Sequence, residues 1–199
     1  MKTLGEVFNP YLADKPLADD ISSAELLELN INTNNRSIAM TAGFGGLVKR
    51  DSLFTAEKQI SKSELNLGSV RINPIFSPNL FSADYFPELY KAVKRDIPSI
   101  NGTLNNAFVT YEEGNLQITL NNGGKSLLDA KGFDKALKRI IKDEFSLEIN
   151  IIYTGTLEID GQSEEYVQAM KNAAEKIERQ RIEDSVNEAA SSEAVTKAV

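Results

Sequence analysis

The chain has 199 residues, 41% of them hydrophobic and 26% charged, with a net charge of −7 and neither cysteine nor histidine. That composition reads as a soluble, globular chain with room for one ordinary domain or two small ones. The missing residue types exclude disulfides, thiol nucleophiles, Ser-His-Asp triads and zinc sites built on the usual ligand sets.

A short helix is predicted around Leu4–Phe8. ELLELNIN follows, in which Leu27, Leu29 and Ile31 alternate as in a half-buried strand. NTNNR then turns the chain, with Asn34 and Asn35 tolerating left-handed backbone, into SIAMTAGF, where Ile38, Met40 and Ala42 alternate. Asp51 or Ser52 can cap a helix whose inward stripe is Leu53, Phe54, Ala56, Ile60 and Leu65. SVRINPIF supplies another short strand, ended by Pro74 and Pro78. The order α-β-β-α-β predicts a small α+β domain over residues 1–78.

A second unit is predicted over residues 79–155. FSADYFPELYKAVKRDI reads as a helix capped by Ser82, with Pro87 in its first turn and Pro98 closing it. Leu104, Phe108 and Val109, the turn EEGN, and alternating Leu116, Ile118 and Leu120 make a hairpin. A brief helical turn at Ser126–Ala130 precedes an amphipathic helix at Phe133–Phe145, and Leu147, Ile149 and Ile151 mark a last strand. The fold class is therefore α+β: two small two-layer α/β domains, the second ordered α-β-β-α-α-β.

Residues 156–199 form an acidic tail with ten acids against five bases, whereas residues 1–79 and 80–155 each carry a net charge of −1. Ser163 to about Val186 is polar with a helical period, and Val167, Met170, Ala174 and Ile177 make only a thin apolar stripe. This is the pattern of an exposed helix running into linker. No apolar run approaches the roughly 20 residues that span a bilayer, and the first residues lack a signal-peptide core. A cytoplasmic location without a membrane partner is expected.

For chemistry, the composition leaves carboxylate-bound magnesium, lysine or paired carboxylates. The pairs Asp19-Asp20, Glu112-Glu113, Asp143-Glu144 and Glu164-Glu165 read as solvated surface, because sequence neighbours point in different directions. In NNGGKSLLDAKGF, GKS resembles the end of a phosphate loop. The glycine such a loop needs five positions before Gly124 is Thr119, inside a predicted strand, so Asn122-Gly123-Gly124 reads as a plain turn. No catalytic residue, metal site or cofactor is expected.

Cations are better organised. Lys131, Lys135, Lys138, Arg139 and Lys142 share one side of the Phe133–Phe145 helix, opposite Phe133, Ala136, Leu137, Ile140 and Ile141. Such a stripe can follow a phosphate backbone, and it can equally be an ordinary solvated face with cations offsetting the helix dipole. Lys125 and Gly132 complete the candidate nucleic-acid-binding set, and Lys91, Lys94 and Arg95 form a second basic group.

The α-β-β-α-α-β order, with a turn before a basic helix, resembles the type II KH fold. KH domains grip single strands with a G-x-x-G loop. The matching stretch here is Asp129 to Gly132, DAKG, with Asp129 in place of the first glycine and its negative charge where a phosphate would sit. Across most of the chain, VRINP, the FSADYFPEL helix opening, ING after IP, NLQITLNNGGKSLLDA and IIKDEF resemble the N-terminal region of PolC-type DNA polymerase III, the replicative polymerase of low-GC Gram-positive bacteria. The resemblance implies a first domain similar to the carboxy-terminal, polymerase-binding domain of the clamp-loader tau subunit, then a type II KH-like domain, then a charged helical linker. It also implies that the family's catalytic sites lie outside these 199 residues, although the parent enzyme is a nucleotidyltransferase. The expected role is a non-catalytic interaction module in DNA replication, contacting replisome proteins and weakly binding single-stranded DNA or RNA. A stand-alone KH-like RNA-binding protein is the alternative.

Because its apolar stripe is thin, the segment from Ser163 onward is expected to add little to the stability of the body. Thermal unfolding of residues 1–160 and of the full chain should differ by less than about 8 °C, the equivalent of roughly 2 kcal/mol for a domain of this size. A larger drop would mean that the tail packs on the body.

Overall fold

A computed structural model describes residues 1–100, 102–104, 106–121 and 123–157. The acidic tail, including the predicted helix from Ser163 and the pair Glu164-Glu165, lies outside the described residues. The elements are α1 (Leu4–Phe8), α2 (Asp19–Ser22), β1 (Glu25–Asn32), β2 (Ser37–Gly43), α3 (Arg50–Ser61), β3 (Ser69–Ile75), α4 (Phe86–Asp96), β4 (Phe108–Glu112), β5 (Asn115–Leu120), α5 (Lys125–Ala130), α6 (Phe133–Phe145) and β6 (Asn150–Gly155). They build a mixed α+β fold with two three-stranded sheets, ordered β1-β2-β3 and β4-β5-β6, inside one compact unit, Met1–Leu157.

The two sheets share one topology. An antiparallel hairpin is followed by a helical crossover to a third strand, which pairs in parallel with the hairpin's second strand. The crossover is α3 in the first sheet and α5–α6 in the second. Burial follows the sequence alternation on the central strands: Met40 and Ala42 on β2, and Leu116, Ile118 and Leu120 on β5, are fully buried. Helix α6 buries Phe133, Leu137 and Ile141, as its period requires.

Several local expectations are corrected. β1 forms, but Leu27, Leu29 and Ile31 are exposed, Ile31 to 62%. A bulge between Leu26 and Glu28 takes Leu27 out of phase with Leu29 and Ile31, and β1 is an edge strand. Phe108 on β4, also at an edge, is 66% exposed. The left-handed residue of the first hairpin is Arg36, at φ 55°, where its guanidinium reaches the Asn66 carbonyl; Asn34 and Asn35 are not left-handed. Pro74 lies within β3, where a missing N–H is tolerated on an edge strand. Neither Asp51 nor Ser52 caps α3, and Ser82 does not cap α4, which begins at Phe86 after a tight turn at Ala83–Tyr85. Leu65 falls beyond the end of α3, though it still packs on the core.

The first amide of α3 has a partner from another element. Glu88 on α4 accepts the Arg50 backbone N–H at 2.6 Å, and its other oxygen accepts from Lys91 at 3.1 Å. Beside it, the Arg50 guanidinium pairs with Glu144 in the last turn of α6, and both residues are buried. Glu144 was expected on the surface with Asp143; only Asp143 is exposed. An aromatic cluster packs around the same junction. Phe145 meets Phe76, Phe81 and Tyr85 at ring-centroid distances of 5.0, 5.1 and 5.8 Å. The Phe76 amide donates to the Glu144 carbonyl at 2.7 Å, and the Tyr85 hydroxyl to the Val48 carbonyl at 2.8 Å.

Burial pushes the Glu144 carboxyl up to about 7; Arg50 opposes the shift, and Asp143 adds to it. The folded chain therefore holds a proton there that an unfolded carboxyl, at 4.5, gives up earlier. The resulting stability is present below about 4.5 and is lost as pH rises through about 7. In urea unfolding, wild type should lose stability relative to Glu144→Gln between pH 5 and pH 8. A difference that stays flat would mean that Arg50 keeps the carboxylate ionised throughout. Separately, Arg50→Met should cost about 1–3 kcal/mol by leaving the buried Glu144 carboxyl without its hydrogen-bond partner, and Arg50→Met with Glu144→Leu should recover most of that loss. A double variant no more stable than Arg50→Met would show that the pair is irreplaceable by apolar packing.

Candidate nucleic-acid interface

The turn between α5 and α6 depends on Gly132, whose φ of 68° lies in the left-handed region that glycine adopts without a steric penalty. It reverses the chain so that α6 leaves the turn with its apolar side on the sheet and its basic side outward. The upstream GKS stretch is no phosphate cradle. The Lys125 amide donates to the Leu157 carbonyl at 3.0 Å. Its side chain pairs with Asp129 and lies 4.6 Å from the centre of the Tyr153 ring.

The structure divides the predicted basic residues. Lys131, Lys135 and Lys138 are exposed and, among the described residues, make no ion pair. Arg139 is exposed and stands 3.8 Å from Asp96 on α4. Lys142 pairs with Glu148 at 2.7 Å, and that bond raises the lysine's pKa and lowers the glutamate's. Lys125 is turned toward β6 and away from the stripe, where it offsets the Asp129 charge. The continuous part of the surface is thus Lys131, Lys135 and Lys138 beside Gly132.

The second basic group binds inward. Lys91 pairs with Asp51 at 2.6 Å, and Arg95 pairs with Glu57 at 2.9 Å and covers the Phe54 ring. These contacts fasten α4 to α3. Glu57 also accepts the Ile72 amide of β3 at 2.8 Å. Tyr153 donates to Asp134 at 2.5 Å, fixing the first turn of α6 to β6, and burial together with that carboxylate raises the phenol's pKa.

Arg50, Glu57 and Glu144 were not recognised from the sequence, yet the two glutamates left a signal. Glu57 falls in register with Leu53 and Ile60, and Glu144 with Leu137 and Ile141, so each interrupts an apolar stripe. A carboxylate at such a position requires a buried partner.

Among the described residues, no group of acidic side chains could hold a metal ion, and no helix is long and apolar enough to cross a membrane. Residues 84–199, over half of the chain, match the family described as DNA polymerase III polC-type N-terminus II. No curated protein and no solved structure matched.

Proposed function

The chain belongs to the DNA polymerase III polC-type N-terminus II family, and we propose that it is a non-catalytic interaction module of a replicative polymerase whose α6 surface weakly holds single-stranded nucleic acid. The observation that carries the nucleic-acid part is the row Lys131, Lys135 and Lys138, exposed and without ion pairs among the described residues, beside the left-handed turn at Gly132. Lysines so placed act as point charges toward phosphates and carry no base readout, so the binding is non-specific.

We assign residues 1–78 to a tau-like part, 79–155 to a KH-like part and 156–199 to a linker. Support for the KH-like part comes from its element order and from a sheet in which an antiparallel hairpin gains a parallel third strand. The loop Asp129–Gly132 keeps its second glycine, and Lys125 tempers the charge of Asp129. Protein contacts within a cytoplasmic replisome are the main role in this reading, and family membership is its support.

Binding of single-stranded DNA should weaken steeply with salt, each neutralised phosphate adding about −0.7 to the log–log slope. Lys135→Gln with Lys138→Gln should flatten that slope by up to about 1.4 units and leave the fold intact. The dissociation constant at physiological salt should be no tighter than about 10⁻⁵ M. Tighter binding would make nucleic acid the principal ligand, and binding absent at every salt concentration would reduce the stripe to solvated surface.

A further inference from the structure

A cleft of about 580 Å³ lies among β3, α3, α4 and α6, a volume typical of small-ligand sites, which run roughly 300–1,000 Å³. Each of those elements contributes one arginine to its lining: Arg71, Arg50, Arg95 and Arg139. The sequence holds seven arginines in all, so this cleft gathers most of the side chains whose planar fork fits phosphate oxygens.

Hydrogen-bond donors exceed acceptors there. Each guanidinium carries about five N–H groups. Arg71 donates to Asp96 at 2.8 Å, and Arg139 faces the second oxygen of the same carboxylate at 3.8 Å, beyond hydrogen-bond range. One carboxylate thus answers two guanidiniums. Arg95 is committed to Glu57. Asp143 and Glu144 also line the cleft, and Arg50 spends one nitrogen on Glu144. Its Nε, on a residue only 3% exposed, has no hydrogen-bond partner. That nitrogen is enclosed by protein, so the donors open to the cleft are those of Arg71 and Arg139.

We propose that the cleft binds a small phosphate-type anion, gripped at the rim by Arg71 and Arg139, which share the single carboxylate of Asp96. The phosphate is either free, as in pyrophosphate, or the terminal phosphate of a strand. Only Arg139 is shared with the α6 stripe, so the site stands apart from the strand-binding surface proposed above.

Titrating the full chain calorimetrically with inorganic pyrophosphate at low ionic strength tests this. Saturable binding should appear and should weaken at least about tenfold in Arg71→Gln/Arg139→Gln, through loss of two charge-assisted contacts. Both side chains are exposed, so the variant should keep the wild-type circular dichroism spectrum. Lys135→Gln/Lys138→Gln should bind pyrophosphate as wild type does, even if it no longer binds DNA. A 5′-phosphorylated oligonucleotide that displaces pyrophosphate, when its unphosphorylated twin does not, supports the site and identifies a strand end as the source. Displacement by neither, with saturable pyrophosphate binding, supports the site with a free anion. Absence of saturable binding, binding unchanged in the arginine variant, or an equal loss in the lysine variant would each overturn the proposal.

Discussion

The buried contact between Arg50 and Glu144 is the constraint around which the described structure is arranged. It joins the start of the first crossover helix to the end of the second, and so ties one sheet's layer to the other's. Electrostatically it is an awkward junction. Glu144 sits at a helix C-terminus and Arg50 at a helix N-terminus, so both dipoles oppose the charges they meet. Desolvation adds to that cost. Glu88 offsets part of it by giving the Arg50 amide a carboxylate, and the rings around Phe145 supply apolar burial at the same place. Apolar packing therefore supplies the adhesion, and the ion pair fixes which helix ends meet.

The repeated sheet topology explains where the surface is unprotected. In each sheet the crossover helix lies between the central strand and the parallel third strand, so the hairpin's first strand is left at an edge. Leu29 and Ile31 pair with Met40 and Ile38 in register, which places them on the core-facing side of the sheet, yet they remain exposed. The bulge at Leu26–Glu28 and the charge of Glu28 are devices that discourage edge-to-edge pairing of such strands.

Strand and helix positions were legible because period-2 and period-3.6 patterns are local; β5 follows its pattern, and α6 departs from its own at the buried Glu144. What failed was anything that depends on a neighbour far away in sequence. Alternation along β1 could not reveal that, among the described residues, no helix covers Leu29 and Ile31. Capping residues could not be chosen at Asp51 because the cap, Glu88, comes from another helix. The basic residues were legible as a set but not as individuals: Lys125 and Lys142 have partners four and six residues away, while Lys131, Lys135 and Lys138 do not. The arginine cleft was illegible for a plainer reason. Its four arginines come from four elements spread between residues 50 and 139, and no spacing rule connects them.

Charge and length together limit what the α6 surface can do. Lys135 and Lys138 are three residues apart on α6, about 4.5 Å at roughly 1.5 Å per residue, well inside the Debye length of about 8 Å at physiological salt. Beyond that distance the net charge of −7 is screened, so it neither repels a strand strongly nor lets distant lysines assist. Attraction is confined to the few phosphates that lie directly on the helix. In the proposed reading, a contact of that size would add grip to a strand already held elsewhere, and on its own it would capture one poorly. If it holds a strand, the α6 surface would suit an accessory role, in which effective concentration within an assembly makes a weak site useful.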